Sequence, residues 1–256
     1  MVRAKTLGLV GAGKFVDSPL SRLLLPGELL GPVKAPSLRV ASRIVNTLRT
    51  GYPVADYQHF EQCSLILISV PDASVKSTIA ELSAIPLTWS RKTVVLCSST
   101  LDSEELASLA AQGAQTGSLS VVPGFEERWL LLEGAKPVEL QIGKFIDVKS
   151  RRLTVIRAPL KPFYLAALVC AGPMITPLLI AAGDALQKTG ISSMQASAMI
   201  EKHVGMSVRA YLKAGRKAWR GSDEIIDVGK RLTSADADLA CYLNESVQAS
   251  RWLGKG

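Results

Sequence analysis

The sequence predicts an α/β chain in two parts. A Rossmann-like, mostly parallel sheet domain is expected over residues 1–158, followed by an all-α C-terminal domain over 159–256. Three observations carry this. Short apolar runs alternate with helix-like segments through the first part, the pattern of a parallel sheet covered on both faces. Near the start, Leu7–Val10 runs straight into Gly11-Ala12-Gly13, a strand ending in a glycine-spaced turn. From Lys161 onward only helical patterns remain.

Strands are expected over Thr6–Val10, Leu38–Ala41, Leu65–Val70, Thr93–Cys97 and Ser118–Val122, with two more over Val138–Ile142 and Leu153–Ile156. Pro26–Pro36, rich in proline and glycine, reads as a loop into the second strand. Asp72 suits the N-cap of a helix over Ala73–Ala84. Asp102 or Ser103 caps another, whose first turn carries Glu104 and Glu105 and which Gly113 closes. The second part reads as helices over 161–188, 192–219, 222–232 and 235–252, with Ser192, Ser222 and Ser234 as caps and breaks at Gly190 and Gly221. Pro162–Gly183 carries no charge and is long enough to span a bilayer. Pro173 and Pro177 interrupt it, however, and a complete α/β pattern precedes it. A buried helix at the centre of the helical domain, or of a homodimer, is expected instead of a membrane span.

A composition of 48% hydrophobic and 20% charged residues is that of an ordinary globular protein. The net charge of +8 favours anionic partners. Cys63, Cys97, Cys170 and Cys241 are scattered, with no C-x-x-C pair, which fits free thiols in a reducing cytosol. His59 and His203 are the only histidines, so a histidine-rich metal centre or a Ser-His-Asp triad has little to draw on. With no signal peptide evident before the first strand, a cytoplasmic location is expected. Lys202, Arg209, Lys213, Arg216 and Arg220 form a basic stripe at helical spacing. It lacks a recognition motif and interleaved aromatics apart from Trp219, so a solvated face is expected rather than nucleic-acid binding.

A strand, a G-x-G turn and a following helix are how a dinucleotide-binding unit opens. The first glycine permits the tight turn, and the second lets backbone N–H groups approach a pyrophosphate. Gly11, Ala12, Gly13 and Lys14 are the candidate cradle. Val16 stands where a third small residue is usual. Asp17-Ser18-Pro19 resembles an N-cap followed by proline, which would start the helix late and displace its dipole from the phosphates. Ser42 and Arg43 follow the expected second strand, with no Asp or Glu between Arg39 and Asp56. That favours NADP over NAD, because an acidic residue there would hold the ribose hydroxyl and a cation the extra phosphate. Val70, Pro71, Ser98 and Ser99 follow the next two strands, where a parallel sheet lines its ligand crevice.

These segments together resemble the Rossmann-like oxidoreductase relatives that carry a helical C-terminal domain of unassigned function, kin to pyrroline-5-carboxylate reductase, 6-phosphogluconate dehydrogenase and the deazaflavin-dependent NADP reductases. The resemblance is carried by Leu9-Val10-Gly11-Ala12-Gly13-Lys14, Val40-Ala41-Ser42-Arg43, Ser69-Val70-Pro71-Asp72, Gly117-Ser118-Leu119, Lys161-x-x-Tyr164-x-Ala166-Ala167 and Arg220-Gly221-Ser222, in order and along nearly the whole chain. It implies a Rossmann domain, a helical domain that commonly builds a dimer, and nicotinamide chemistry between them. The family usually has His where Ser120 and Leu165 stand, Pro at Val121, and Ser-Asn at Gly172-Pro173. Lys161 and Tyr164 remain as proton donor and positioning group, with Ser120 beside them. Surface and core-edge roles fit the same two residues.

The resulting expectation is an NADP-dependent oxidoreductase for a small, anionic carbonyl or imine substrate in the interdomain cleft. The alternative is a degenerate, non-catalytic Rossmann-fold binding or scaffold protein without a cofactor.

Overall fold

The computed structural model describes residues 6–11, 30–123, 129–145, 152–219 and 223–250. Its contacts separate into two compact units, Met1–Ala167 and Leu168–Gly256, dividing within a helix that opens at Lys161, beyond the boundary expected near Pro159.

In the first unit the described residues form strands β1 (Thr6–Gly11), β2 (Leu30–Lys34), β3 (Tyr52–Pro53), β4 (Cys63–Ser69), β5 (Thr93–Cys97), β6 (Gln115–Val121), β7 (Trp129–Gly134) and β8 (Arg152–Ile156). They pair in the order β3-β2-β1-β4-β5-β6-β7-β8, all parallel except β6 with β7. Strand order reverses at β1, which has β2 on one side and β4 on the other. This is the doubly wound Rossmann arrangement, with its switch point between β1 and β4. The two sheet faces bury separate cores. Leu7, Leu9, Leu65, Leu67 and Val95 point to one, and Val10, Ile66, Ile68, Val94 and Leu96 to the other. Successive side chains of a strand alternate between faces, so a strand buried on both reads as a continuous apolar run.

Three segments depart from the expectations. The second strand is Leu30–Lys34, inside the stretch read as a loop, and Leu38–Ala41 opens helix α1 (Leu38–Leu48). Pro32 is tolerated in a strand because the pairing shifts there: Leu7 faces Leu30 and Leu9 faces Val33, so β2 carries one extra residue opposite β1. Ser37 caps α1, its side chain accepting from the Val40 amide at 3.3 Å. Asp72 does not cap helix α2 (Asp72–Ser83) but lies in its first turn, after Pro71. The 3-10 turn Ser103–Leu106, capped by Asp102, leads into α3 (Ala107–Ala111), after which Gly113 adopts φ 98°. Val138–Ile142 belongs to helix α4 (Lys136–Ile142), with Pro137 in its first turn and Val138 and Ile142 buried one turn apart. Finally, Trp129–Gly134 forms β7, where no strand was expected. Leucine runs favour helix by propensity, and burial on both faces removed any alternation.

Helix α5 (Lys161–Ala171) crosses the division between the units. In the second unit, α6 (Ile175–Lys188) follows a break at Gly172-Pro173. Then come α7 (Ser193–Ala214), α8 (Asp223–Leu232) and α9 (Ala237–Ser250). Ser192 and Gln195 form a reciprocal capping box at α7. Asp236, rather than Ser234, accepts from the Leu239 amide at the start of α9. Gly221 and Ser222 lie outside the described residues, as does Arg220 of the basic stripe, whose other members are exposed. The span Lys161–Lys188 is long and apolar enough to cross a membrane, and the described residues leave it uncovered, where a helix buried in the helical domain or in a homodimer is expected. Lys161 is its one buried residue, while Phe163, Met174 and Ile180 are exposed.

Buried ionisable groups of the first unit set an expected pH response. Burial pushes the Cys63 and Cys97 thiols up to about 12, against a smaller opposing pull from Lys92 and Lys161 respectively. Between pH 9 and 12 the unfolded chain has released these protons and the folded chain still holds them, so stability falls as pH rises through that window. The slope is about 1.4 kcal/mol per pH unit for each such group. Lys161, whose pKa burial lowers, works in the opposite sense with one proton. Urea denaturation from pH 7 to 11 checks this: stability declines from about pH 9, and Cys97→Ala flattens the decline.

Candidate functional site

The carboxyl ends of β1, β2 and β4 lie level, Val10 opposite Lys34 and Gly11 opposite Ser69. A hollow of about 210 Å³ opens beside them, lined by Val10, Gly11, Lys34, Tyr57, Val70, Pro71 and the outer residues of α2. It stands at the switch point, where an open parallel sheet takes its ligands. The Lys34 ammonium sits 5.4 Å from the centre of the Tyr57 ring and donates to the Ala35 carbonyl at 3.0 Å. Burial, reinforced by the Glu81 carboxylate 3.4 Å from its hydroxyl, pushes Tyr57 up to about 12, so this phenol stays protonated.

Ser42 and Arg43 are not at a strand end. Both lie on α1, with the Ser42 hydroxyl donating to the Leu38 carbonyl at 2.9 Å and Arg43 exposed. The shift follows from β2 lying eight residues earlier than expected at its start, Leu30 against Leu38. Lys34 is the last residue of β2, and Ser37 at the cap and Arg39 in the first turn of α1 follow it. No Asp or Glu occurs from Leu30 to Ala55. Lys34 was hidden in sequence because a proline-glycine stretch surrounds it. Ala12, Gly13 and Lys14, like Val16 and Pro19, lie outside the described residues, and Gly11 ends β1.

At the end of β5 the loop is organised by side chains. The buried Ser98 hydroxyl donates to Asp72 at 3.0 Å and accepts from the amides of Thr100 and Leu101 at 3.2 and 3.0 Å. The Thr100 hydroxyl makes a short hydrogen bond to the other oxygen of Asp72. Asp72 thus joins the start of α2 to this loop, while Ser99 is exposed.

Lys161, the first residue of α5, is fully buried. Its ammonium donates to the carbonyls of Ser98 and Leu101 at 2.7 and 2.6 Å and to the Ser118 hydroxyl at 3.3 Å. Burial lowers its pKa, and the Glu133 carboxylate pulls it back. All three ammonium protons have acceptors, and the side chain has no exposed surface. Ser120 is buried two residues beyond Ser118, on the same face of β6. Tyr164 lies one turn along α5 from Lys161. Its hydroxyl is buried without a hydrogen-bond partner among the described residues, and burial raises its pKa. Of the three expected catalytic residues, Tyr164 carries a fully buried hydroxyl with no partner among the described residues.

Glu133 was missed in the sequence, although a lone carboxylate closing an apolar run needs buried partners. It is fully buried on β7 and accepts from the Ser103 amide at 2.8 Å, the Ser118 hydroxyl at 2.9 Å and the Lys161 amide at 3.2 Å. Gly117 permits the close approach of β7. A Cβ there would lie 2.6 Å from the Glu133 carbonyl oxygen.

Asp72→Ala removes two side-chain hydrogen bonds at the crevice and is expected to cost about 1 kcal/mol each. Urea denaturation measures the loss, and Asp72→Asn recovers part of it.

No family model matches the chain, and no curated protein does. Solved structures do share its fold. A Bacteroides fragilis protein assigned as an NADP oxidoreductase superposes over 98% of this chain and 99% of its own, with TM-score 0.69 and 11% identity. An imine reductase variant from Myxococcus stipitatus, in complex with NAD+, covers 96% and 94%, with TM-score 0.68 and 14% identity. An imine reductase from Aspergillus terreus, solved with NADPH4, covers 100% and 96%, with TM-score 0.66 and 12% identity. The chain thus has the fold of these nicotinamide oxidoreductase structures, a Rossmann-like sheet unit followed by a helical one.

Proposed function

We propose that the chain is an oxidoreductase that binds a nicotinamide dinucleotide, NADP in preference to NAD, along the carboxyl edge of its sheet. The observation that carries this reading is the crevice at the switch point: a cation ends β2, a Val-Pro turn follows β4, a hydroxyl-rich turn follows β5, and no carboxylate opposes a phosphate from Leu30 to Ala55. Lys34, Ser37 and Arg39 fit a 2′-phosphate, in the role first expected of Ser42 and Arg43. Val70 and Pro71 fit the adenosine end, and Gly11 begins the pyrophosphate turn. Bound there, the cofactor supplies hydride transfer, and the protein supplies orientation and electrostatics. A small, anionic carbonyl or imine substrate fits the chain's positive charge of +8. Tyr164 is the proton-donating group we favour for it, because its hydroxyl is uncommitted.

Thermal shift and tryptophan fluorescence with NADPH and NADH test this. NADPH at a hundred times its dissociation constant is expected to add about 2.7 kcal/mol of stability. Lys34→Met is expected to weaken NADPH about tenfold, the lower end of one charge-assisted hydrogen bond, and to leave NADH nearly unchanged. Arg43→Ala leaves both unchanged. Absence of any shift at millimolar concentrations of either nucleotide overturns the reading in favour of a non-catalytic scaffold. That second reading draws on Ser120 and Leu165 standing where the resembled family has histidines.

We further propose a cytoplasmic homodimer formed through the helical unit. An apolar groove of about 920 Å³, lined by residues such as Leu178, Leu179, Met199, Ile200 and Leu212, lies between α6 and α7, and Leu212 is 76% exposed. A second copy, rather than a bilayer, is the fitting cover. The apolar span is broken at Gly172-Pro173, and its distal end carries Asp184 and Lys188. Light scattering is expected to give a dimer without detergent, and Leu178→Asp with Leu212→Asp to give a monomer. A protein that stays in solution only with detergent overturns this.

A further inference from the structure

The loop after β5 is gripped from below at three backbone points. The Lys161 ammonium takes the carbonyls of Ser98 and Leu101, and the Glu133 carboxylate takes the Ser103 amide. Ser118 joins the two charges, accepting from Lys161 and donating to Glu133. Glu133 also accepts the Lys161 amide, which ties the first turn of α5 to the same centre. Four segments therefore meet at one buried ionic cluster: the loop Ser98–Ser103, β6, β7 and the start of α5. Above it the loop leaves Ser99 and Thr100 exposed, and Thr100 meets Asp72 at the start of α2, next to Pro71 of the crevice.

Burying two charges is a poor way to gain stability, because desolvation of both offsets what attraction they have, and apolar substitutes of similar volume are often as stable. What such a cluster supplies that apolar packing does not is direction. Two carbonyls and an amide with fixed orientation need donors and an acceptor at fixed points.

We propose that Lys161 and Glu133 are positioning residues, a buried post that sets the loop Ser98–Ser103, and with it Ser99 and Thr100, in the geometry the crevice requires. The inference rests on the crevice being the dinucleotide site. Lys161 touches neither cofactor nor substrate. It acts through the backbone it holds, and because it opens α5, the loop and that helix shift together.

Hydrogen exchange in the nucleotide-free protein tests this directly. The amides of Thr100, Leu101 and Ser103 all donate within the loop or to Glu133 and can be followed individually. In Lys161→Met and in the milder Ser118→Ala, these amides are expected to exchange at least tenfold faster, with those of β4 unchanged. NADPH affinity is expected to fall about tenfold in Lys161→Met. A double variant, Lys161→Met with Glu133→Leu, is expected to recover the denaturation midpoint but not the slow loop exchange, which a merely structural role would restore. Loop exchange equal to that of the parent, or accelerated only in step with β4, overturns the proposal. Ser118→Ala is read by the same criterion should Lys161→Met not fold. Because exchange is measured without nucleotide, failure of the parent protein to bind NADPH overturns the functional reading and leaves the loop result standing.

Discussion

Parallel pairing of β1 with β4 is the constraint on which the rest of the first unit hangs. Parallel strands cannot be joined by a tight hairpin, so each connection crosses a face of the sheet and leaves it covered. Both sides of β1, β4 and β5 are consequently core, one built on Leu7, Leu9 and Leu67 and the other on Val10, Ile66 and Ile68. The same pairing brings the carboxyl ends of these strands level and leaves a crevice where the order reverses. Position of the crevice is thus a consequence of how the strands wind.

Within that frame, charge is used in two ways. Lys34 stays at the rim, half-buried and resting on the Tyr57 ring, where its ammonium remains available to an anion. Lys161 and Glu133 are taken fully inside, each charge satisfied by three partners. Lys92 shows the same economy elsewhere, its ammonium donating to the carbonyls of Phe60, Glu61 and Cys63. Buried cations in this unit serve to organise backbone. The rim cation has a different environment, the face of an aromatic ring.

The helical unit presents a contrast. Its helices are well capped, as the Ser192–Gln195 box and Asp236 illustrate, yet the described residues leave long apolar faces exposed. Local signals were enough to form these helices.

Much of the architecture was legible because hydrophobic periodicity and turn chemistry are local. Thr93–Cys97 is a strand over the residues expected, Asp102 caps its turn, and Ser192 opens α7. The glycine-closed strand Thr6–Gly11 announced a parallel sheet and the place of its crevice. What failed did so where local preference and tertiary demand conflict. Pro32 disguised β2, leucines disguised β7, and the apolar pair Val138 and Ile142 suits one face of a helix as well as a strand. The two-residue-type pattern at Ser42-Arg43 looked like a strand end only because β2 had gone unseen. The chain's own order of residues determined the α/β class, the helical second half and the absence of acid beside the first strands. Only the tertiary structure decided that Lys34 ends β2 and that Lys161, Ser118 and Glu133 share one buried centre, since that meeting joins residues distant in sequence through long-range pairing that no local pattern records.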